Sequence, residues 1–282
     1  MANRKEIKSL DLTSLTTVGI GIHAVISIVI ALLAMIILLI VGGVNGFFAN
    51  LIIVPFIIFG TFISTIIFLF GRGLIYNILV KKINCISFEI EEGEITKVDT
   101  KSVSVILAII ELISFIIIYV MFLGVVPFMA SALLQILMLT GQMGVALLVY
   151  NIISLLYSPV VILILLLAVF LITLIEVFIG AAIYNILTPY IGGIKAEIKA
   201  GREYSTVESV NTKSAAIMMA VISLVLGAVI SLIMIIINPQ LAFSALTNIL
   251  SSFIGGFIST LILVFLYNKI SDKIGKLKLE LE

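Results

Sequence analysis

The sequence predicts an all-α polytopic membrane protein: six transmembrane helices in three helix-pair repeats with a pseudo-threefold arrangement, plus short cytoplasmic β-strands forming hairpins or a small sheet. Three observations predict it. Apolar residues make up 62% of the chain and charged residues 11%, against roughly 45–50% and about 25% in soluble domains. Six apolar runs are each long enough for a hydrocarbon core about 30 Å thick, which takes about 20 helical residues. A pattern then recurs without gaps: Tyr76-Asn77, Tyr184-Asn185 and Tyr267-Asn268 are followed at equal spacings by Ile83, Ile191 or Ile274 and by Glu89, Glu197 or Glu280.

Each unit opens with a short strand and a helix start. Leu10-Asp11-Leu12-Thr13-Ser14, Val98-Asp99-Thr100-Lys101-Ser102 and Val210-Asn211-Thr212-Lys213-Ser214 share a register. Asp, Asn and Ser in these segments favour helix N-caps, because a short side-chain oxygen satisfies an otherwise orphaned backbone N–H. Ile7, Ile95 and Val207 stand three residues before Leu10, Val98 and Val210, as in a strand that enters a helix. The first unit, residues 1–93, has helices at 15–41 and 51–79 joined by a Gly- and Asn-bearing turn. The run at 15–41 exceeds the 7–15 residue core of a signal peptide and reads as a retained helix.

The second unit, residues 94–201, has helices at 102–123 and 160–187. Between them, 127–159 is uncharged and apolar, interrupted by Gly141-Gln142-Met143-Gly144. Two helices of about 13 residues are too short to span, so this insertion reads as a re-entrant or interfacial hairpin, the alternative being an extra pair of crossings. The third unit, residues 202–282, has helices at 213–237 and 252–270, with Asn238-Pro239 breaking the chain between them. After each Tyr-Asn comes a period-two pattern: Ile86, Phe88, Ile90; then Ile194, Ala196, Ile198; then Leu277, Leu279, Leu281. Alternation of that kind marks a half-buried strand. The six strands read as a small sheet or barrel under the membrane, with the first and last adjacent; a line of them would leave an unpaired edge open to a partner strand.

Charge gives the orientation. The sixteen Lys and Arg lie in 4–8, at Arg72, in 81–101, in 195–213 and in 269–278, whereas 42–50, 124–158 and 238–252 contain neither. The positive-inside rule then places the charged end, with both termini, in the cytoplasm and the chain in the cytoplasmic (plasma) membrane. Cys85 is the single cysteine, so no internal disulfide forms and the residue reads as packing.

The stretch AAIYNILTPYIGGIKAEI, behind a helix pair that opens after an Asp-x-x-Ser segment, resembles the end of the DUF3566 family of transmembrane domains. The match is best over 94–201; the first unit has Asn84-Cys85 and the third Gly275-Lys276 where that family has Gly-Gly. The resemblance implies a membrane-embedded helix pair followed by a strand. It implies no activity.

Chemistry-bearing residues inside the apolar runs are few. Only Glu111 and Glu176 among the acids lie there, with His23, the sole histidine. His23, Glu111 and Ser223 are register equivalents, and Glu176 has Phe68 and Ser259 as its equivalents. At 1.5 Å per residue both levels lie roughly 12–13 Å from the cytoplasmic helix ends. These residues, His23, Glu111, Glu176, Ser223 and Ser259, form the expected intramembrane polar cluster, read as helix packing through hydrogen bonds, or alternatively as proton or cation handling at the two glutamates. Arg72 is expected to snorkel to the interface, pairing with Glu176 being the alternative. The Tyr-Asn pairs read as an interfacial tyrosine and a helix-ending asparagine. HExxH, CxxC, GxSxG and the phosphate-loop glycine patterns are absent, so no enzyme, metal or cofactor is expected. Basic residues alternate with acids, which excludes a nucleic-acid surface. The expected function is a structural or accessory membrane protein with a cytoplasmic strand platform for a membrane or cytoplasmic partner, the alternative being a small channel or transporter.

Overall fold

The structure, a computed structural model, describes residues 3–282 apart from 44 and 45. Six strands and six helices follow in the order β1 (Asn3–Leu10), α1 (Leu12–Leu79), β2 (Ile86–Glu91), β3 (Glu94–Val98), α2 (Thr100–Leu139), α3 (Met143–Leu156), α4 (Pro159–Ile191), β4 (Ile194–Lys199), β5 (Ser205–Val210), α5 (Thr212–Ile237), α6 (Ala242–Ile274) and β6 (Lys278–Leu281). A single 3₁₀ turn, Pro239–Leu241, separates α5 from α6. α1 breaks at Gly43, whose φ of 52° and ψ of −126° are non-helical, leaving two arms, Leu12–Gly43 and Gly46–Leu79. With α2, α4, α5 and α6, these arms make six helices long and apolar enough to cross a membrane.

Of the expected arrangements, hairpins, a small sheet or a barrel, the strands take the last: all six close into one antiparallel barrel in sequence order, with β6 beside β1. Closure removes the edges that an open sheet would present. No free edge therefore remains among the described strands, and the expected site for strand addition does not exist. The pairing registers explain why the ring closes. Phe88 faces Val98, Ala196 faces Val210 and Leu279 faces Leu10, an apolar pair at each of three equivalent places. One residue further on, Glu89 faces Lys97, Glu197 faces Ser209 and Glu280 faces Ser9. Each of these ladders also slips at the same point: between Glu89 and Ile90, between Glu197 and Ile198, and between Ile7 and Ser9. Identical registers with identical bulges let three strand pairs turn through the same angle.

The helix starts are built alike. Asp11 Oδ1 accepts from Ser14 N at 2.7 Å, Asp99 Oδ1 from Ser102 N at 3.1 Å and Asn211 Oδ1 from Ser214 N at 2.9 Å. The backbone N–H of each cap donates into the barrel, to Lys278 O, Ser87 O and Lys195 O respectively. Charged side chains tie β1 to β6 from outside: Lys8 Nζ lies 2.8 Å from Glu6 and 3.1 Å from Glu282. The hydrogen bond from Lys8 holds the Glu6 carboxyl below its ordinary value of 4.5, and bonds to Glu6 and then Glu282 push the Lys8 ammonium up.

Two core clusters sit where the barrel meets the helices. In one, Tyr76 and Leu79 of α1 pack on Ile106 and Ile110 of α2 over Ile7, Leu10 and Ile86. In the other, Tyr184 of α4 packs on Met218 and Ile222 of α5 over Ile95, Val98 and Ile194. At the third junction, a Cβ on Gly21 of α1 would meet the side chains of Ile270 and Ile274 of α6. Further out, α5 and α6 of the third pair are joined to each other through small residues. Gly227 lies against Ser252, Gly256 against Ser223, and Ser231 Oγ donates to Ala245 O at 2.9 Å. Small side chains let two apolar helices approach where no hydrophobic effect drives them together.

The insertion in the second unit is corrected in part. α2 is one helix of 40 residues that continues through Pro127, about 60 Å at 1.5 Å per residue. Proline removes the helical hydrogen bond to Leu123 O, and the Tyr157 hydroxyl supplies that carbonyl with another donor. Only α3 is short, with 14 residues. Tyr119 donates to Leu156 O at 2.5 Å and Tyr157 to Leu123 O at 2.7 Å, which pin the start of α4 beside the middle of α2.

Candidate functional site

The repeated Tyr-Asn pairs join the helices to the barrel. Each tyrosine hydroxyl donates to a strand carbonyl: Tyr76 to Ile7 O at 2.6 Å, Tyr184 to Ile95 O at 2.5 Å and Tyr267 to Val207 O at 2.5 Å. The same hydroxyl of Tyr184 accepts from Ile194 N at 3.0 Å, and that of Tyr267 from Leu277 N at 3.4 Å. The hydroxyls of Tyr184 and Tyr267 thus each bridge two neighbouring segments of the barrel.

Each asparagine takes both polar groups of one strand residue. Asn77 Oδ1 accepts from Leu10 N at 2.8 Å while its Nδ2 donates to Leu10 O at 2.8 Å. Asn185 does the same to Val98 at 2.8 and 2.8 Å, and Asn268 to Val210 at 3.0 and 2.7 Å. An asparagine amide carries one acceptor and two donors, so it completes a ladder step in place of a strand. Valine or leucine at the partner position offers only its backbone. The helix-ending role expected for the asparagines is corrected: α4 runs on past Asn185 to Ile191, and α6 past Asn268 to Ile274. With their polar atoms spent on backbone, the tyrosines and asparagines are fasteners. Register marked Ile7, Ile95, Val207, Leu10, Val98 and Val210 as well as the tyrosines and asparagines, but not that the two sets meet.

The membrane-depth polar residues divide into separate contacts. Arg72 Nη2 lies 2.8 Å from Glu111 Oε2, joining α1 to α2, and its guanidinium stands 5.5 Å from the centre of the Phe68 ring. Arg72 therefore does not simply snorkel; it has a carboxylate partner, and that partner is Glu111. The signal was depth: Arg72 precedes Leu79 by seven residues and Glu111 follows Ser102 by nine. His23 Nδ1 is 2.8 Å from Gly19 O on its own helix. Ser223 packs on Gly256, and Ser259 Oγ donates to Gly256 O at 3.4 Å. Glu176 is exposed and has no hydrogen-bond or ion-pair partner among the described residues.

Two of the five are brought to one place. Glu111 and Glu176 line a groove of about 440 Å³ between α2 and α4, walled by Phe115, Ile118, Val169, Thr173 and Val177. Arg72 neutralises one carboxylate from the neighbouring unit, so the groove carries one uncompensated acid. A chemical test of the pair is a double-mutant cycle. Arg72→Leu and Glu111→Leu are each expected to lower the unfolding midpoint in neutral detergent. The double variant is expected to recover a coupling on the order of 1–2 kcal/mol; strictly additive losses would show that the pair does not hold α1 to α2.

Compared with known protein families, curated proteins and solved structures, the chain matches none.

Proposed function

We propose that the chain is a structural or accessory protein of the cytoplasmic membrane, and that its barrel is a docking platform for a membrane or cytoplasmic protein. The observation that carries this reading is the triple fastening of barrel to helices. Three Tyr-Asn pairs at equivalent positions make the barrel a stiff base, while the side chains that join neighbouring helix pairs lie in the turns next to it. The units are read as three tandem copies, 1–93, 94–201 and 202–282, around a pseudo-threefold axis along the membrane normal. The second also carries the resemblance to the DUF3566 family. The positive-inside rule puts the barrel and both chain ends in the cytoplasm.

A closed barrel receives a partner on its charged outer face, where Glu197, Lys199 and Lys195 of β4 are exposed. A photo-crosslinking residue at Glu197 or Lys199, in native membranes, is expected to trap one discrete partner band. Lys195→Glu combined with Lys199→Glu is expected to abolish it. Products containing this chain alone, at both positions, would sink the platform reading. A small channel or transporter is favoured by one observation, the shared groove of Glu111 and Glu176. It requires pH-dependent flux in liposomes that Glu176→Gln removes.

A further inference from the structure

Glu176 has no structural task that the fold reveals. Its register equivalents in the other two units are Phe68 and Ser259, so the helix pair folds without a carboxylate there. In the structure it bonds to nothing among the described residues. Glu111 differs, because Arg72 holds it at 2.8 Å. An ionisable side chain at membrane depth is costly to keep, and one without an internal partner calls for an external one.

The groove around Glu176 describes that partner. With Arg72 and Glu111 cancelling, the charged groups facing it sum to one negative charge, which fits a monocation. The walls are apolar apart from Thr173, and Phe115 offers an aromatic ring. An aromatic face attracts ammonium groups, best when their alkyl substituents reduce hydration. Bare metal ions suit the site poorly: they need several oxygen ligands, and no group of three or more His, Cys, Asp or Glu occurs among the described residues. We propose that the groove between α2 and α4 binds an organic monocation, an alkylammonium whose charge rests on Glu176 and whose apolar body lies along Phe115, Ile118, Val169 and Val177. The site is independent of the platform, since it lies on the helices and not on the barrel.

Tetrabutylammonium is a suitable probe, measured by titration calorimetry against purified protein in neutral detergent. Saturable binding at one site per chain is expected, with Glu176→Gln weakening it about tenfold or more, the loss of one charge-assisted contact. Glu176→Asp is expected to retain part of the affinity, and Glu89→Gln on the barrel all of it. Because Glu176 holds nothing, Glu176→Gln should melt with wild type, so weaker binding cannot be put down to misfolding. Absence of saturable binding in wild type would overturn the proposal, as would equal binding by Glu176→Gln or by sodium chloride at the same concentration. Crosslinking from Glu197 in the Glu176→Gln protein should be unchanged, so the two readings fail separately.

Discussion

Asn185→Ala is expected to destabilise the protein by about 2–4 kcal/mol, read as a lower unfolding midpoint in neutral detergent. The change strips Val98 of both backbone partners, and a buried group left unpaired costs about 1–3 kcal/mol. Asn185→Asp is the sharper variant: it keeps the acceptor for Val98 N and loses the donor for Val98 O, setting two oxygens against each other. It should be no better than alanine despite its matching shape. Asn77→Ala and Asn268→Ala should fall in the same range, because Leu10 and Val210 are gripped at nearly the same distances. An Asn185→Ala protein that melts with wild type would show that the barrel is held without its fasteners.

Gly193→Val is expected to be more damaging still, above about 4 kcal/mol, the range reached when backbone must move. A side chain at Gly193 would run into the Ile95 carbonyl, with the Tyr184 hydroxyl 3.0 Å away. Backbone oxygen cannot turn aside as a flexible side chain does. To make room, β4 would have to leave β3 at Ile194 and Ile95, a paired position. Gly193 N also donates to Glu94 Oε1 at 2.6 Å. The register equivalents are Cys85 and Lys276, so the restriction belongs to the second unit alone. Loss of folded protein on gel filtration is the expected readout, and a normal elution profile would contradict the close approach.

The helices were legible because a long uncharged run has one stable form in lipid, and the strands because alternation at Ile86, Phe88 and Ile90 has one reading as well. A ring with its first and last strands adjacent was one of the arrangements expected, but its pairing was harder. Alternation tells which residues share a face, but nothing in β1 or β6 alone states that Leu10 lies opposite Leu279. The fasteners were half legible: the register marked Tyr184, Asn185, Ile95 and Val98 as repeated without telling that they meet. An asparagine near a helix end has many possible uses, and only the folded backbone selects one. For the polar residues, register put His23, Glu111 and Ser223 at one level, yet their partners depend on their neighbours. Glu111 has an arginine across the junction, whereas Ser223 has a glycine beside it.

Pairing of β1 with β6 sets an order of events during synthesis. Ile7 meets Leu281 and Ser9 meets Glu280, contacts across almost the entire chain, and such contacts form slowly because a large loop must close first. Each helix hairpin can enter the bilayer as it emerges from the ribosome, since its hydrogen bonds are local. The barrel cannot finish until β6 has been made. Until then the nascent chain carries β1 with one side unpaired, beside the β2–β3 hairpin, at the membrane surface. Kinetic vulnerability is therefore concentrated at the first strand, where a slow or truncated translation product would expose the edge that the mature ring conceals.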